Sequence, residues 1–451
     1  MSNNTTIYAL STPAGSGALG VIRLSGLDAL TITQKIIDRN IQQIQANKAV
    51  FCRIIENKTV IDEVVLTYFK GPHSFTGEDT IEISCHGSAY IIQEILRLIH
   101  THGGVMAQPG EFTMRAFFNN KMDLSQAEAV ADLIASETKA SHTIAMNQMR
   151  GGFSNEIKML RENLIDFASL IELELDFAEE DVEFADRTKL RELLKQLLES
   201  IKALKDSFEL GNAIKNGIPV AIVGKPNAGK SSWINALTAD TVAIVSDIAG
   251  TTRDKIEVPV NINGILFRLI DTAGLRETTD TIEKIGVATA LEVIKKASVL
   301  LYIFDINTTS LTDLEIELSK LEQLNEGATI ISVANKIDVL NDGQKTKQFS
   351  KSIHLSAHNT EHIQELKKAL SSKFDISNLG HSVVTSARHA SILSNAYDAL
   401  LNAQTAMDNG STGDILAMDI RSAIHYLGEI TGTISTEDLL GNIFGKFCIG
   451  K

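Results

Sequence analysis

The spacing of apolar positions changes several times along the 451-residue chain, and the changes divide it. Ile157, Leu160, Leu164, Phe167 and Ile171 are spaced 3, 4, 3 and 4 apart, which predicts one face of an amphipathic helix. Leu190, Leu194, Leu197, Ile201, Leu204 and Phe208 predict a second helix with a single apolar face. Helical patterning returns near residues 386–406 and 414–427. The six prolines lie at 13, 72, 109, 219, 226 and 259, so 110–218 and 260–451 hold none and permit long helices. Between these stretches, continuous apolar runs at 218–223, 267–270, 299–305 and 329–334 alternate with helical segments and read as buried strands, with a further short one at 353–355. That alternation predicts a doubly wound α/β domain with its ligand groups at the carboxyl ends of the strands. The first 118 or so residues mix short β-like runs (7–11, 60–68, 80–84) with helices, the pattern of a separate α+β domain. The C-terminal helices are too few to form a domain alone and are expected to pack on residues 120–212. The expected organisation is therefore multidomain: 1–118 α+β, 119–216 and 378–451 two parts of an all-α helical domain, and 217–377 an inserted α/β domain.

Composition adds bounds. Hydrophobic residues make up 44% of the chain, enough to core about three domains. The three cysteines, Cys52, Cys85 and Cys448, are far apart and odd in number, which offers no disulfide framework or zinc spacing and points to a reducing compartment. The N-terminus lacks a basic region followed by an apolar run, and no apolar run is long enough to span a bilayer, so a soluble cytoplasmic protein is expected. A net charge of −14 argues against a broad nucleic-acid-binding surface, although a local basic patch or RNA held jointly with a partner stays open. The acidic stretch 172–183, with seven carboxylates in twelve residues, reads as a solvated turn.

Candidate chemistry lies within 217–377, where four guanine-nucleotide signatures stand in order: Gly224-Lys225-Pro226-Asn227-Ala228-Gly229-Lys230-Ser231, Gly250-Thr251-Thr252-Arg253, Asp271-Thr272-Ala273-Gly274 and Asn335-Lys336-Ile337-Asp338. The first follows an apolar strand and opens a helix, so its backbone N–H groups and the helix N-terminus form an anion cradle. Lys230 is expected to reach the β- and γ-phosphates, Ser231 and Thr252 to hold Mg²⁺, Asp271 to hold a magnesium-bound water, and the Gly274 N–H to sense the γ-phosphate. The Asp338 carboxylate matches guanine N1–H and N2–H₂ but would face an acceptor on adenine, so GTP is favoured over ATP. Lys336 can cover the ring and ribose, and the backbone of Ser356-Ala357 fits guanine O6. Small GTPases place a water-orienting Gln after the third signature; here Leu275 stands there, so hydrolysis must recruit another group.

Beyond these motifs, GVIRLSG at 20–26, SFTGEDTIEISCHG at 74–87, PGEFTMRAFFNNKMDLSQAEA at 109–129 and GEITGTISTEDLLGNIFGKFCIGK at 428–451 resemble the MnmE (TrmE) family of tRNA-modification GTPases from end to end. The resemblance implies an N-terminal domain of the folate-binding kind that forms a constitutive homodimer. It implies a flavoprotein partner, MnmG, carrying FAD. With that partner the family installs an aminomethyl or carboxymethylaminomethyl group at C5 of the wobble uridine (position 34) of certain tRNAs, using a tetrahydrofolate (5-formyl or 5,10-methylene) one-carbon unit. GTP hydrolysis drives a conformational cycle. Its nucleotide contacts carry over to Asn227, Ala228, Gly229, Lys230, Ser231, Ser232, Ser246, Asp247, Ile248, Ala249, Gly250, Thr251, Thr252, Asp271, Thr272, Ala273, Gly274, Asn335, Lys336, Asp338, Ser356 and Ala357. Its potassium site carries over to the Asn227 side chain, the carbonyls of Ser246 and Ile248, and Thr251, with the cation in the place of an arginine finger; the plain alternative for Asn227 is a turn residue. Glu283 matches the catalytic glutamate that positions water. Arg23, Glu82, Lys121 and Lys451 match the folate-binding positions, where a carboxylate suits pterin N–H groups and cations suit glutamyl carboxylates. Cys448 is open between a reactive thiol and an incidental one, and His86 is read as a structural histidine. The competing class is a regulatory GTPase of ribosome assembly or RNA binding, which would need neither the folate motif nor the tail.

Overall fold

The structure is a computed structural model that describes residues 5–176, 187–239, 257–272, 282–340, 344–374, 383–409 and 413–450. The chain divides into two compact units: Met1–Ile134, Met146–Leu198 and Asn395–Lys451 form one, and Ala135–Ala145 with Glu199–Ser394 the other.

The first unit contains a six-stranded sheet of β1 (Ile7–Leu10), β2 (Leu19–Ser25), β3 (Ala49–Glu56), β4 (Thr59–Phe69), β5 (Thr80–His86) and β6 (Val105–Met106), ordered β3-β4-β5-β2-β1-β6. Every pairing is antiparallel except β1 with β6. The β3–β4 hairpin turns on Asn57 and Lys58, both at positive φ (48° and 69°), the combination whose twist matches antiparallel strands. Ile22 and Leu24 of β2, Ile81 and Ile83 of β5, and Val64 and Leu66 of β4 alternate into one core. The helix Ala89–Thr101 closes that core with Ile92, Ile95, Leu98 and Ile99. In the same unit, Phe153, Ile157, Leu160, Leu164, Phe167 and Ile171 of the helix Gly152–Asp176 are buried. That helix packs along Gly413–Thr431, which contributes Leu416, Ile420, Ala423 and Leu427. Segments before and after the nucleotide signatures thus share one helical layer.

The second unit holds β7 (Ile218–Val223), β8 (Glu257–Ile262), β9 (Ile265–Asp271), β10 (Val299–Asp305), β11 (Thr329–Asn335) and β12 (Ile353–His354), ordered β12-β11-β10-β7-β9-β8. All pair in parallel except the β8–β9 hairpin, which turns on Asn263-Gly264. Side chains alternate between two cores. Val220, Ile222, Val299, Leu301, Ile303 and Val333 face one way with Trp233, Leu237, Leu366 and Leu370 of covering helices. Ala221, Leu300, Tyr302, Phe304 and Ala334 face the other way with Val293, Ile294, Leu314 and Leu321. Helices on both faces explain the unbroken apolar runs of these strands.

One expected element differs. Leu190 to Phe208 is not a single helix: Arg187–Asp206 ends, Ser207 intervenes, and Phe208–Asn216 begins anew. The Ser207 hydroxyl donates to the Leu204 carbonyl and accepts from the Val384 N–H, so a distant segment is recruited at the break.

Candidate functional site

The carboxyl ends of β7, β9, β10 and β11 carry Val223, Asp271, Asp305 and Asn335. The strand order reverses at β7, where an α/β sheet opens its ligand crevice. The loop leaving β7 needs glycine at two close approaches. A Cβ on Gly224 would lie 2.1 Å from the Ile303 carbonyl oxygen, and one on Gly229, whose φ is +97°, would lie 2.2 Å from Asn335 Nδ2. Asn227 between them is exposed and left-handed, at φ 61°. The helix Lys230–Ala239 starts directly after Gly229, so its unsatisfied first-turn N–H groups open toward the loop. Lys230 is buried, and its Nζ donates to the carbonyls of Gly224 and Lys225 at 2.9 Å each, which sets the ammonium inside the curl. Ser231 and Ser232 are exposed, Ala228 is buried, and fully buried Trp233 fixes the helix on the sheet.

At the far end of the crevice Asn335 Nδ2 donates to the Ala228 carbonyl at 2.8 Å, tying the first signature to the fourth. Its Oδ1 is buried with no hydrogen-bond partner among the described residues. An orphaned amide oxygen costs about 1–3 kcal/mol unless something satisfies it, so it marks a ligand position. Leu355 N–H donates to the Ala334 carbonyl at 2.9 Å, which sets Ser356 and Ala357 beside this strand end. Ser356 is buried; its N–H donates to His362 Nδ1 and its Oγ accepts from the His358 N–H. Asp338 is exposed, and a hydrogen bond from Ser356, helped by nearby His358 and His362, holds its carboxyl below the usual carboxylate range. A loop built for an anion, an ionised carboxylate and an orphaned acceptor together fit a guanine nucleotide.

Thr272 closes the β9 side of the crevice. Buried, it donates from both N–H and Oγ1 to the Ile222 carbonyl, at 3.4 and 2.7 Å, and so fastens the end of β9, with Asp271, to β7. Ser246, Asp247, Ile248, Ala249, Gly250, Thr251, Thr252, Ala273 and Gly274 lie outside the described residues, as does Leu275. Glu283 belongs to the helix Ile282–Lys296, and its side chain is outside what is described.

In the other unit Arg23 and Glu82 stand directly opposite each other on β2 and β5. Arg23 Nε and Nη2 both donate to Glu82 Oε1, at 3.0 and 2.8 Å, and the guanidinium carbon lies 5.5 and 5.7 Å from the Phe75 and Phe112 ring centres. The C-terminal tail joins them: the Gly450 carbonyl accepts from Arg23 Nη1 at 3.3 Å and from Ser11 Oγ at 3.2 Å, and the Cys448 carbonyl accepts from the Gly110 N–H. Lys121 Nζ instead donates to the Pro72 carbonyl at 2.7 Å, and Lys451 lies outside the described residues. His86 is held through Nδ1 by Asp62 at 2.6 Å, and the other oxygen of Asp62 takes the His86 N–H. Burial pushes the thiols of Cys52 and Cys85 up to about 11, whereas Cys448 is exposed.

The motif reading passed over Asp305, Asn307, Ser11 and Gly450. Asp305 left a faint signal, as the one carboxylate at the carboxyl end of the run VLLYIFD; Ser11 and Gly450 contact partners far away in sequence, and Asn307 reaches Lys336 as well as its neighbour Asp305.

Two family models together match nearly the whole chain. Residues 124–448 match the model of the MnmE helical domain, and residues 6–121 match that of the GTP-binding protein TrmE N-terminus. The tRNA modification GTPase MnmE of Cytophaga hutchinsonii is 51% identical over 100% of this chain and 99% of its own. The protein of the same name from Flavobacterium johnsoniae is 49% identical over the full length of both. Among solved structures, the FeoB G-domain from Methanococcus jannaschii aligns at 27% identity and a TM-score of 0.25, over 35% of this chain and 97% of that one. With its N-terminal and helical segments matched in register and its relatives aligned end to end, the chain belongs to the MnmE (TrmE) family of tRNA-modification GTPases.

Proposed function

We propose that this chain, a tRNA-modification GTPase by family, spends GTP to install an aminomethyl or carboxymethylaminomethyl group at C5 of the wobble uridine of certain tRNAs. It works in the cytoplasm as a homodimer joined through the N-terminal domain, together with the FAD-bearing flavoprotein MnmG, and draws its one-carbon unit from a tetrahydrofolate. The observation that carries this reading is the presence in one chain of a phosphate loop tied to Asn335 and, on a separate sheet, the Arg23–Glu82 pair with the C-terminal tail beside it.

The residues divide the work. Lys230 and the loop N–H groups hold the phosphates and spread the charge that develops during transfer. Asn335 and Asp338 select guanine, and Ser231 with Thr252 would hold Mg²⁺, which bridges phosphate oxygens and neutralises them. Asn227, at the exposed crest of the loop, would lend its side-chain oxygen to K⁺ with Ser246, Ile248 and Thr251, and Glu283 would orient the attacking water. Glu82 suits the pterin amino and ring N–H groups. Arg23, Lys121 and Lys451 supply positive charge for the carboxylates of a folate.

Nucleoside mass spectrometry of bulk tRNA tests the reading. Cells lacking the protein are expected to lose 5-aminomethyl-type wobble uridines, and the wild-type gene but not Lys230→Ala is expected to restore them. Unchanged nucleosides in the deletion would replace this reading with that of a regulatory GTPase. Separately, Asn227→Ala is expected to abolish stimulation of GTP hydrolysis by K⁺ over Na⁺; stimulation that persists would remove Asn227 from the cation site.

A further inference from the structure

Lys336 is fastened at its head by the end of a strand it does not belong to and at its carbonyl by the turn that follows that strand. It follows β11 in the left-handed region, φ 66°, a conformation that a long side chain adopts only when its surroundings impose it. Asp305, the last residue of β10, lies in register with Asn335 and reaches the Lys336 ammonium at 2.9 Å through Oδ2. Its Oδ1 accepts from the Asn307 backbone N–H at 2.9 Å and from Asn307 Nδ2 at 3.3 Å. Asn307 Nδ2 also reaches the Lys336 carbonyl at 3.4 Å, and the Ile306 N–H donates to the Asn335 carbonyl at 3.2 Å. The turn after β10 therefore grips the head and the backbone of Lys336 together. The Asp305 side chain is 17% exposed. Burial opposes its ionisation, but the hydrogen bonds from Lys336 and Asn307 outweigh it and hold the carboxyl below its ordinary value.

We infer that Asp305, with Asn307, is a positioning residue for guanine recognition: it anchors the Lys336 ammonium so that the four-carbon stem is laid out in advance along the plane where the base and ribose sit. A free lysine carries large rotamer entropy, and fixing it before the ligand arrives lowers the cost of covering the ring. The carboxylate does not touch the nucleotide; it acts through Lys336. Asp305 is matched to lysine in charge as well as reach, so the amide of Asp305→Asn keeps the shape and weakens the anchor.

The inference rests on Asn335 and Asp338 reading guanine, and the experiment separates the two claims. Dissociation of a fluorescent GDP is measured by stopped flow on the full chain for wild type, Asp305→Asn, Lys336→Met and the double variant. Asp305→Asn is expected to speed GDP release by about tenfold, to raise KM for GTP, and to leave kcat unchanged, because contacts made in the bound state set the off-rate. In the Lys336→Met background the same change is expected to add nothing. Asn307→Ala, a milder cut in a half-buried turn, is expected to act in the same direction and also to vanish with Lys336→Met; it serves if Asp305 variants fail to fold. Effects that multiply in the double variant, or an unchanged off-rate in Asp305→Asn, would overturn the inference. Asp338→Asn provides the control on the base: its amide N–H matches the xanthine oxygen, so preference is expected to pass from GDP to XDP. A preference that stays with GDP would overturn the guanine reading itself, whatever Asp305 does.

Discussion

Two glycines of similar sequence appearance carry opposite weight at the scale of the residue. Gly229 sits at φ +97°, and its missing Cβ is what lets the Asn335 amide close on the phosphate loop. Gly229→Ala combines a left-handed penalty of about 1–2 kcal/mol with a clash against the buried Asn335 amide, which the Ala228 carbonyl holds in place. Nucleotide affinity is expected to fall at least tenfold in an equilibrium titration, and wild-type affinity would show that the loop and Asn335 do not depend on that approach. Gly441 lies inside the helix Glu437–Phe444 with nothing within 4 Å of a Cβ. Gly441→Ala is expected to stabilise that helix by about 0.5–1 kcal/mol, seen as a higher urea midpoint, because only backbone entropy changes. Asp338 gives a pH signature. Its folded-state carboxyl lies below the ordinary 3.8, so it stays ionised as the pH falls and is lost only below the usual carboxylate range. Asp338's share of GDP affinity is therefore expected to stay flat from pH 8 to pH 5. A titration with a midpoint between 5 and 6 that disappears in Asp338→Asn would contradict this assignment.

At the scale of the element, strands were the easiest features to read. The apolar runs at 218–223, 299–305 and 329–334 are covered by helices on both faces, so nothing interrupts them, and the strands match those runs to within a residue. The helix Gly152–Asp176 was equally legible, since its 3–4 spacing is the direct imprint of one buried stripe. Ser207 was not. Leu190 to Phe208 keeps a helical period through Ser207, and the partner that its hydroxyl finds there, the Val384 N–H 177 positions away, is contained in no local pattern. The site divides along the same line. Lys230, Asn335 and Asp338 were legible because their motifs are contiguous, whereas Asp305 and Asn307 depend on two strands lying side by side in register. The packing of Gly152–Asp176 on Gly413–Thr431 is nonlocal too, and it can be tested. Leu164 and Ile420 are both fully buried. Truncating either to Ala is expected to cost about 2–5 kcal/mol through lost transfer energy and the cavity left behind. The corresponding change at exposed Met159 is expected to cost far less.

For the molecule as a whole, the consequence that sequence could not give is where the last residues go. Phe444 is buried against Leu124, with Phe117 and Phe447 packed around it, so the tail leaves from an anchored point. It then runs over the N-terminal sheet, where the Gly110 N–H holds the Cys448 carbonyl and Ser11 and Arg23 share that of Gly450. Gly110 and Gly450 allow that approach: a Cβ on Gly110 would meet the Phe444 carbonyl oxygen and one on Gly450 the Leu10 carbonyl oxygen, at 2.4 and 2.6 Å. The contacts are backbone carbonyls, which any residue could supply, and this is why the tail's course left no trace in composition or spacing. They hold Cys448 by its main chain and leave its thiol exposed, while Cys52 and Cys85 are sealed in the core of the same sheet with thiols pushed up to about 11. A thiolate is the reactive form, so at pH 8 both buried groups are protonated as well as inaccessible. The native protein is therefore expected to take up one equivalent of an alkylating reagent, at Cys448, and three after unfolding, as read by intact-mass spectrometry. Ser11→Ala should leave that count at one and raise the rate of labelling, because the tail loses one of its three holds. Rapid native labelling of Cys52 or Cys85 would show that the sheet core opens far more readily than its packing implies, and an unchanged rate in Ser11→Ala would show that Arg23 and Gly110 hold the tail without it.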